Sequence, residues 1–415
     1  MKRAKKMLAL LLTATLCLSL TACGGNGGAA EKKDDSAQKT QKEAEGAQES
    51  EPAEEKGEQA KADNSADGEK KKIIFFTAFI GDFGLSDMGY RAVQEVAEEY
   101  NMDWTLVEYG SYDAALAVNC FWDALETTDY DYFFGPAWYI EDIIDDAAAE
   151  YPDTTFIHYD VGKGIEFNAP NVYGITFAQN ESSFMAACLQ ALMSEKGKIG
   201  CISSDSPILN DFSTGWLAGV KYAKKELRPD LEWLHSYMPE TSMPAVYESM
   251  NVMYDNGCDV VWAISAQMML ASCQAAEEHG GIEDGYWVMG CDYDQYEYFK
   301  GLASEDANSA VGYENILTCI TKNIAPATKA IIESVESGSG DVPSGNKVWG
   351  VYENGVGYLE NENFLNNVPE DVQKTLKDII EKIGKGEITI PSYYDFNSYD
   401  AFAAYRDNPD AEFAP

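Results

Sequence analysis

Three aspartates, Asp82, Asp160 and Asp292, follow or end short apolar runs (KKIIFFTAF, TTFIHYD and YWVMGCDYD). A carboxylate so placed can accept hydrogen bonds from hydroxyl and amine groups, and a pair with pKa values pushed apart can do acid–base work. Asp82 and Asp160 also read as helix caps or turn formers, roles that aspartate favours. Lys322 lies in the largely apolar stretch ILTCITKNIAPA, an unusual setting for a surface lysine. No pattern for covalent or metal chemistry accompanies these groups. His158, His235 and His279 are far apart and form no HExxH. Cys120, Cys188, Cys201, Cys258, Cys273, Cys291 and Cys319 form no CxxC pair and sit mostly among apolar neighbours, where a free thiol packs like a small hydrophobe. GxSxG, GxxxxGK[ST] and a strand-linked GxGxxG are absent. The expectation is a binding protein rather than an enzyme, with no cofactor and no metal.

The acids need strand ends to hold them, and the chain supplies these in a regular order. KKIIFFTAF, DWTLVEY, DYDYFFGP and TTFIHYD read as strands, and YRAVQEVAEEYN, SYDAALAVNCFWDALETT and YIEDIIDDAAAEYP as the helices between them. A second series begins after NVYGITF, with strands KIGCISS, LEWLHSYM, DVVWAIS and YWVMGCDYD alternating with helical runs. Repeated strand–helix–strand units predict an α/β fold of two lobes, each a mostly parallel sheet flanked by helices. Ligands of such sheets bind at the carboxyl ends of the strands, so a cleft between the lobes is the expected site. The predicted division puts residues 72–178 and about 296–322 in the first lobe, and 179–295 and about 323–415 in the second.

The amino end reads differently. Lys2, Arg3, Lys5 and Lys6 precede an apolar run from Met7 to Leu20, the pattern of a signal peptide over residues 1–22. Leu20-Thr21-Ala22-Cys23 resembles the lipobox of bacterial lipoproteins, which implies lipid on Cys23 and a place on the extracytoplasmic face of the cell membrane. Gly24 to Lys72 contains no Ile, Leu, Val, Met, Phe, Trp or Tyr, so residues 23–71 are expected to be a disordered tether. Its end-to-end distance as a flexible coil is on the order of 35–40 Å. The formal charge of −40 argues against a nucleic-acid partner.

Several ordered segments together resemble the basic membrane protein family of lipoproteins, receptors of the periplasmic-binding-protein fold that serve ABC importers of purine nucleosides. They are GDFGLSDMGYRAV, AAAEYPDTTFIHYD, NVYGITFAQNESSFMAACLQALMSEKGKIGCISS, LNDFSTGWLAGVKYA, GYWVMGCDYDQ and ILTCITKNIAPA, and they cover nearly all of the chain from Lys72. The resemblance implies a monomeric receptor that delivers a purine nucleoside to an ABC permease and its ATPase. It implies ligand contacts from Asp82 and Asp87 in the first loop and from Asp160, Phe212, Asp292 and Lys322, and position adds Phe83, Ser86, Trp138 and Gln267 as candidate contacts. Asp292 would grip two ribose hydroxyls, Lys322 would donate to a ribose oxygen, and Phe212 and Trp138 would offer faces to the base. Phe212 is equally at helical spacing with Trp216 and Val220, which reads as core. Two departures stand out. Leu85-Ser86 replaces the family's Phe-Asn, with Phe83 the nearest substitute ring, and Ala263 to Gln267 replaces a glycine-rich turn. Both keep open a different small solute: a sugar, an amino acid or a signalling molecule.

Overall fold

KIIFFT, the first strand, is buried from Ile73 to Thr77, and only a strand covered on both faces can be apolar on both. A computed structural model describes residues 70–415 other than 83, 239–241, 409–410 and 414–415. The predicted signal peptide, Cys23, nearly all of the tether and Phe83 lie outside the described residues. In chain order the strands are β1 (Lys72–Thr77), β2 (Asp103–Glu108), β3 (Tyr132–Pro136), β4 (Thr155–Tyr159), β5 (Val172–Phe177), β6 (Lys198–Ser203), β7 (Glu232–Tyr237), β8 (Val260–Ala263), β9 (Trp287–Cys291), β10 (Ile316–Lys322), β11 (Gly345–Trp349) and β12 (Val356–Tyr358). The helices are α1 (Leu85–Glu99), α2 (Ala114–Leu125), α3 (Ile144–Glu150), α4 (Gln179–Met193), α5 (Pro207–Glu226), α6 (Met243–Asp255), α7 (Met269–Glu278), α8 (Gln295–Glu305), α9 (Ile324–Ser337), α10 (Glu362–Asn367), α11 (Glu370–Gly384) and α12 (Tyr399–Asp407).

Two six-stranded sheets result, in the orders β11-β5-β4-β3-β1-β2 and β12-β10-β9-β8-β6-β7. All pairings are parallel except β10 with β12. The two series share one order, 2-1-3-4-5, which reverses direction beside β1 in one sheet and beside β6 in the other, and ligands of such sheets bind at these switch points.

One expected boundary is corrected. β10, placed by sequence in the first lobe, pairs with β9 in the second sheet. β9, α8 and β10 form one strand–helix–strand unit, and its short crossover keeps its strands adjacent. Part of the stretch predicted for the second lobe instead belongs to the first: β11 pairs with β5, and α9 packs on α1. The crossing segments are tied together, Ala178 N–H donating to Trp349 O (3.0 Å) and Asn323 N–H to Gly355 O (2.8 Å).

The second sheet is braced by α4 and α5. Buried Gln190 on α4 donates to the carbonyls of Gly200 (3.0 Å) and Val260 (3.1 Å) and accepts from Trp216 Nε1 on α5 (2.6 Å). The two helices approach so closely that a Cβ on Gly215 would lie 1.9 Å from the carbonyl oxygen of Asn180. Gly215→Ala is therefore expected to lower stability by about 1–3 kcal/mol, as overpacking does. Urea unfolding checks this, and an unchanged midpoint would show that α5 can slide.

Candidate functional site

A cleft of about 300 Å³ opens where the carboxyl ends of the two sheets face each other, and Asp82, Leu85, Trp138, Asp160, Phe212, Gln267, Asp292 and Lys322 are among its lining residues. The strand order explains the convergence. Asp160 directly follows β4 and Asp292 directly follows β9, equivalent strands of the two series. Both residues are left-handed, with φ of 56° and 66°, a conformation uncommon outside glycine that aspartate tolerates better than most. This turn ends each strand and leaves the carboxylate at the sheet's rim.

Lys322, at the end of β10, reaches from the second sheet to the first. Its Nζ lies 2.6 Å from Asp160 Oδ1, and Trp138 Nε1 donates to Asp160 Oδ2 at 2.8 Å. The lysine is 4% exposed and stands 5.6 Å from the ring centre of Phe212. Burial works against its charge, but the carboxylates of Asp160 and Asp292 more than offset this and raise its pKa. Burial likewise raises the pKa of Asp292, with Lys322 pulling it back only in part. Asp292 thus meets the cleft with less compensation than Asp160, which has two donors.

Asp82 does cap a helix. Its carboxylate accepts from the N–H groups of Gly84 (2.9 Å), Ser86 (3.1 Å) and Asp87 (3.2 Å) at the start of α1, where the helix dipole favours negative charge. It lines the cleft as well, so the cap fixes one wall. Ser86 and Asp87, expected at the ligand, are placed elsewhere. Ser86 is wholly buried and its Oγ accepts from the Thr77 hydroxyl (3.0 Å), and Asp87 braces the loop by accepting from Gly81 N–H (2.7 Å). Successive helical residues point about 100° apart, so when Leu85 faces the cleft the next two turn away. Phe212 satisfies both of its readings: it packs edge-on against Trp262 at 6.0 Å and also walls the cleft.

Sequence reasoning did not single out Ile208, Leu209, Ile264 and Cys291 as lining groups, and nothing in their types distinguishes them from core residues. Tyr112 was missed too. It stands on the loop after β2, its ring 6.2 Å from that of the cleft-lining Trp138. The histidines stay outside the cleft. His158 is buried in the first sheet, which lowers its pKa to about 3, and burial lowers that of His235 to about 4. The seven cysteines from Cys120 to Cys319 are free thiols, and all but Cys120 are buried. Among the described residues no three His, Cys, Asp or Glu side chains are grouped to hold a metal, and no helix is long and apolar enough to cross a membrane. A larger groove of about 700 Å³ follows the edge strand β7, but it contains none of the three aspartates.

Such a cleft can hold a small polar molecule with a planar part: acceptors and a buried cation at the base, aromatic and aliphatic walls above. The Bmp family, described as PnrA-like ABC transporter substrate-binding proteins, matches residues 70–393. A Lactococcus lactis protein named ABC transporter nucleoside-binding protein BmpA is 25% identical over 328 residues, 78% of this chain and 89% of that protein. Basic membrane protein A1 of Borrelia garinii is 23% identical over 80% of this chain and 90% of its own length. Among solved structures, an ABC transporter solute-binding protein from Aeropyrum pernix superposes with a TM-score of 0.62 at 17% identity, over 80% of this chain and 96% of that one. One from Conexibacter woesei gives 0.60 at 17% identity, over 78% and 99%. These two share the fold. Since the family match runs through both sheets and every strand end that lines the cleft, the chain belongs to the Bmp family of PnrA-like ABC transporter substrate-binding proteins.

Proposed function

We propose that the protein captures a purine nucleoside between its lobes and delivers it to an ABC permease coupled to an ATPase, while lipid on Cys23 holds it at the extracytoplasmic face of the membrane. The observation that carries the ligand class is Asp292 and Lys322 at the base of a cleft walled by Phe212 and Trp138. Asp292, beside the single cation Lys322 among the described residues, accepts from two neighbouring ribose hydroxyls, and Lys322 donates to a ribose oxygen. The base lies against the rings, a contact contributing on the order of 1–3 kcal/mol. The name of the Lactococcus lactis relative points the same way.

A second reading has its own support. Leu85 lines the cleft where the resemblance leads one to expect an aromatic ring, so the ligand has one platform fewer, which suits a sugar or another small polar solute. Thermal unfolding of the mature chain with purine nucleosides, free bases, sugars and amino acids separates the two. Ligand at about 100 times its Kd adds roughly 2.7 kcal/mol of stability. A shift with inosine, guanosine or adenosine is expected. A shift only with another solute would keep the receptor and replace its ligand.

A further inference from the structure

Behind the ligand cleft lies a second cavity of about 210 Å³, and Asp292 lines both. Its first-lobe wall is Met88, Arg91, Ala92 and Glu95 on α1. These residues recur at helical spacing after Leu85, so one face of α1 runs from the ligand cleft to the back cavity. The second-lobe wall includes Tyr293, the neighbour of Asp292. The guanidinium of Arg91 stands 4.3 Å from the ring centre of Tyr293, and Arg91 Nη2 donates to the Tyr293 hydroxyl. Tyr293 is 6% exposed and meets Tyr298 edge-on at 6.0 Å, so its ring has little room to turn. Asp292 itself holds a left-handed backbone that persists only where its surroundings fix it. One side is fixed by its own N–H on Ile320 O (2.6 Å), and Tyr293 is what continues the loop on the other.

We propose that Arg91 and Tyr293 form an interlobe latch that positions Asp292 from behind and slows release of the bound solute. Arg91 is a positioning residue, since it touches Tyr293 and not the ligand cleft. The latch joins α1, whose first turn is held by Asp82, to the loop carrying Asp292. Closure of the lobes, the binding of Asp82 to its helix and the orientation of Asp292 therefore act together. The inference depends on the nucleoside reading only for its probe.

The test uses the mature chain, with Arg91→Ala, Arg91→Lys, Tyr293→Leu and the double variant Arg91→Ala/Tyr293→Leu. Without solute, hydrogen exchange over residues 291–296 is expected to quicken about three- to fivefold in Arg91→Ala, the scale of an exposed cation–π contact, although the substitution is in the other lobe. Inosine dissociation should quicken by the same factor with association nearly unchanged. Arg91→Lys should recover part of the effect, and the double variant should be no worse than the worse single one. Unchanged exchange would overturn the latch. So would faster exchange with an unaltered inosine dissociation rate, which would make the contact merely structural. If the unsubstituted chain binds no inosine, the nucleoside reading falls, and exchange in the solute-free chain decides the latch alone.

Discussion

Asp292→Asn is expected to weaken inosine binding by roughly two to four orders of magnitude while leaving the ligand-free protein as stable as before or more so. The first figure follows from two hydrogen bonds to a charged acceptor at about 1.5–3 kcal/mol each, with every 1.4 kcal/mol a factor of ten. The second follows from the raised pKa of Asp292: burial disfavours its charge, so a neutral side chain of the same shape removes a cost of the empty site. Calorimetry with inosine and urea unfolding without it read the two effects. Opposite signs separate loss of a ligand contact from a damaged fold. Affinity unchanged within about threefold would remove Asp292 from the binding site.

The same residue sets the sign of the pH dependence. A carboxylate must be ionised to accept from both hydroxyls, so affinity should fall as pH drops through the raised pKa of Asp292. Stability without ligand should move the other way. The folded state binds this proton more tightly than the unfolded chain does, so its contribution is full below the ordinary value of 3.8 and is lost as pH rises through the raised one. In Asp292→Asn this residue's share of both trends should vanish.

Much of this arrangement is legible in the residues. Ile73 to Phe76 in β1 and all of YFFGP in β3 are apolar, as strands buried on both faces require, and Asp160 and Asp292 directly follow strands that the pattern identifies. Helix phase was not legible in the first loop: whether Leu85, Ser86 or Asp87 faces the cleft depends on where α1 begins, and that is settled by the three N–H groups bound to Asp82. The lobe to which β10 belongs was hidden for a different reason. Its apolar residues suit either sheet, and only the pairing with β9 decides. Tyr112 and Arg91 carry no local signal at all, because each matters through a partner distant in sequence, Trp138 and Tyr293.

Lys322→Met is expected to cost about 3–5 kcal/mol of stability, the scale of leaving one partner of a buried ion pair unmatched. Methionine keeps an unbranched apolar stem and loses the ammonium, which stands 5.9 Å and 5.6 Å from the ring centres of Phe177 and Phe212, so the loss would be electrostatic rather than a packing defect. Asp160 would retain only the Trp138 N–H, and Asp292 would lose the cation that lowers its pKa. Asp292 would then hold its proton more tightly, so the variant should regain stability as pH falls. Adding Asp160→Asn should restore part of the loss at neutral pH, since the uncompensated charge goes with it. Urea unfolding of the single and double variants checks this; a cost for Lys322→Met below about 1 kcal/mol would mean that the pair is solvated and behaves as a surface bridge. The partners end strands of different sheets, so the pair exists only while the lobes face each other. A lysine in the field of both Asp160 and the cleft-lining Asp292 therefore couples the charge of the cleft to closure: a ligand that engaged Asp292 would change the field in which Lys322 holds the other lobe.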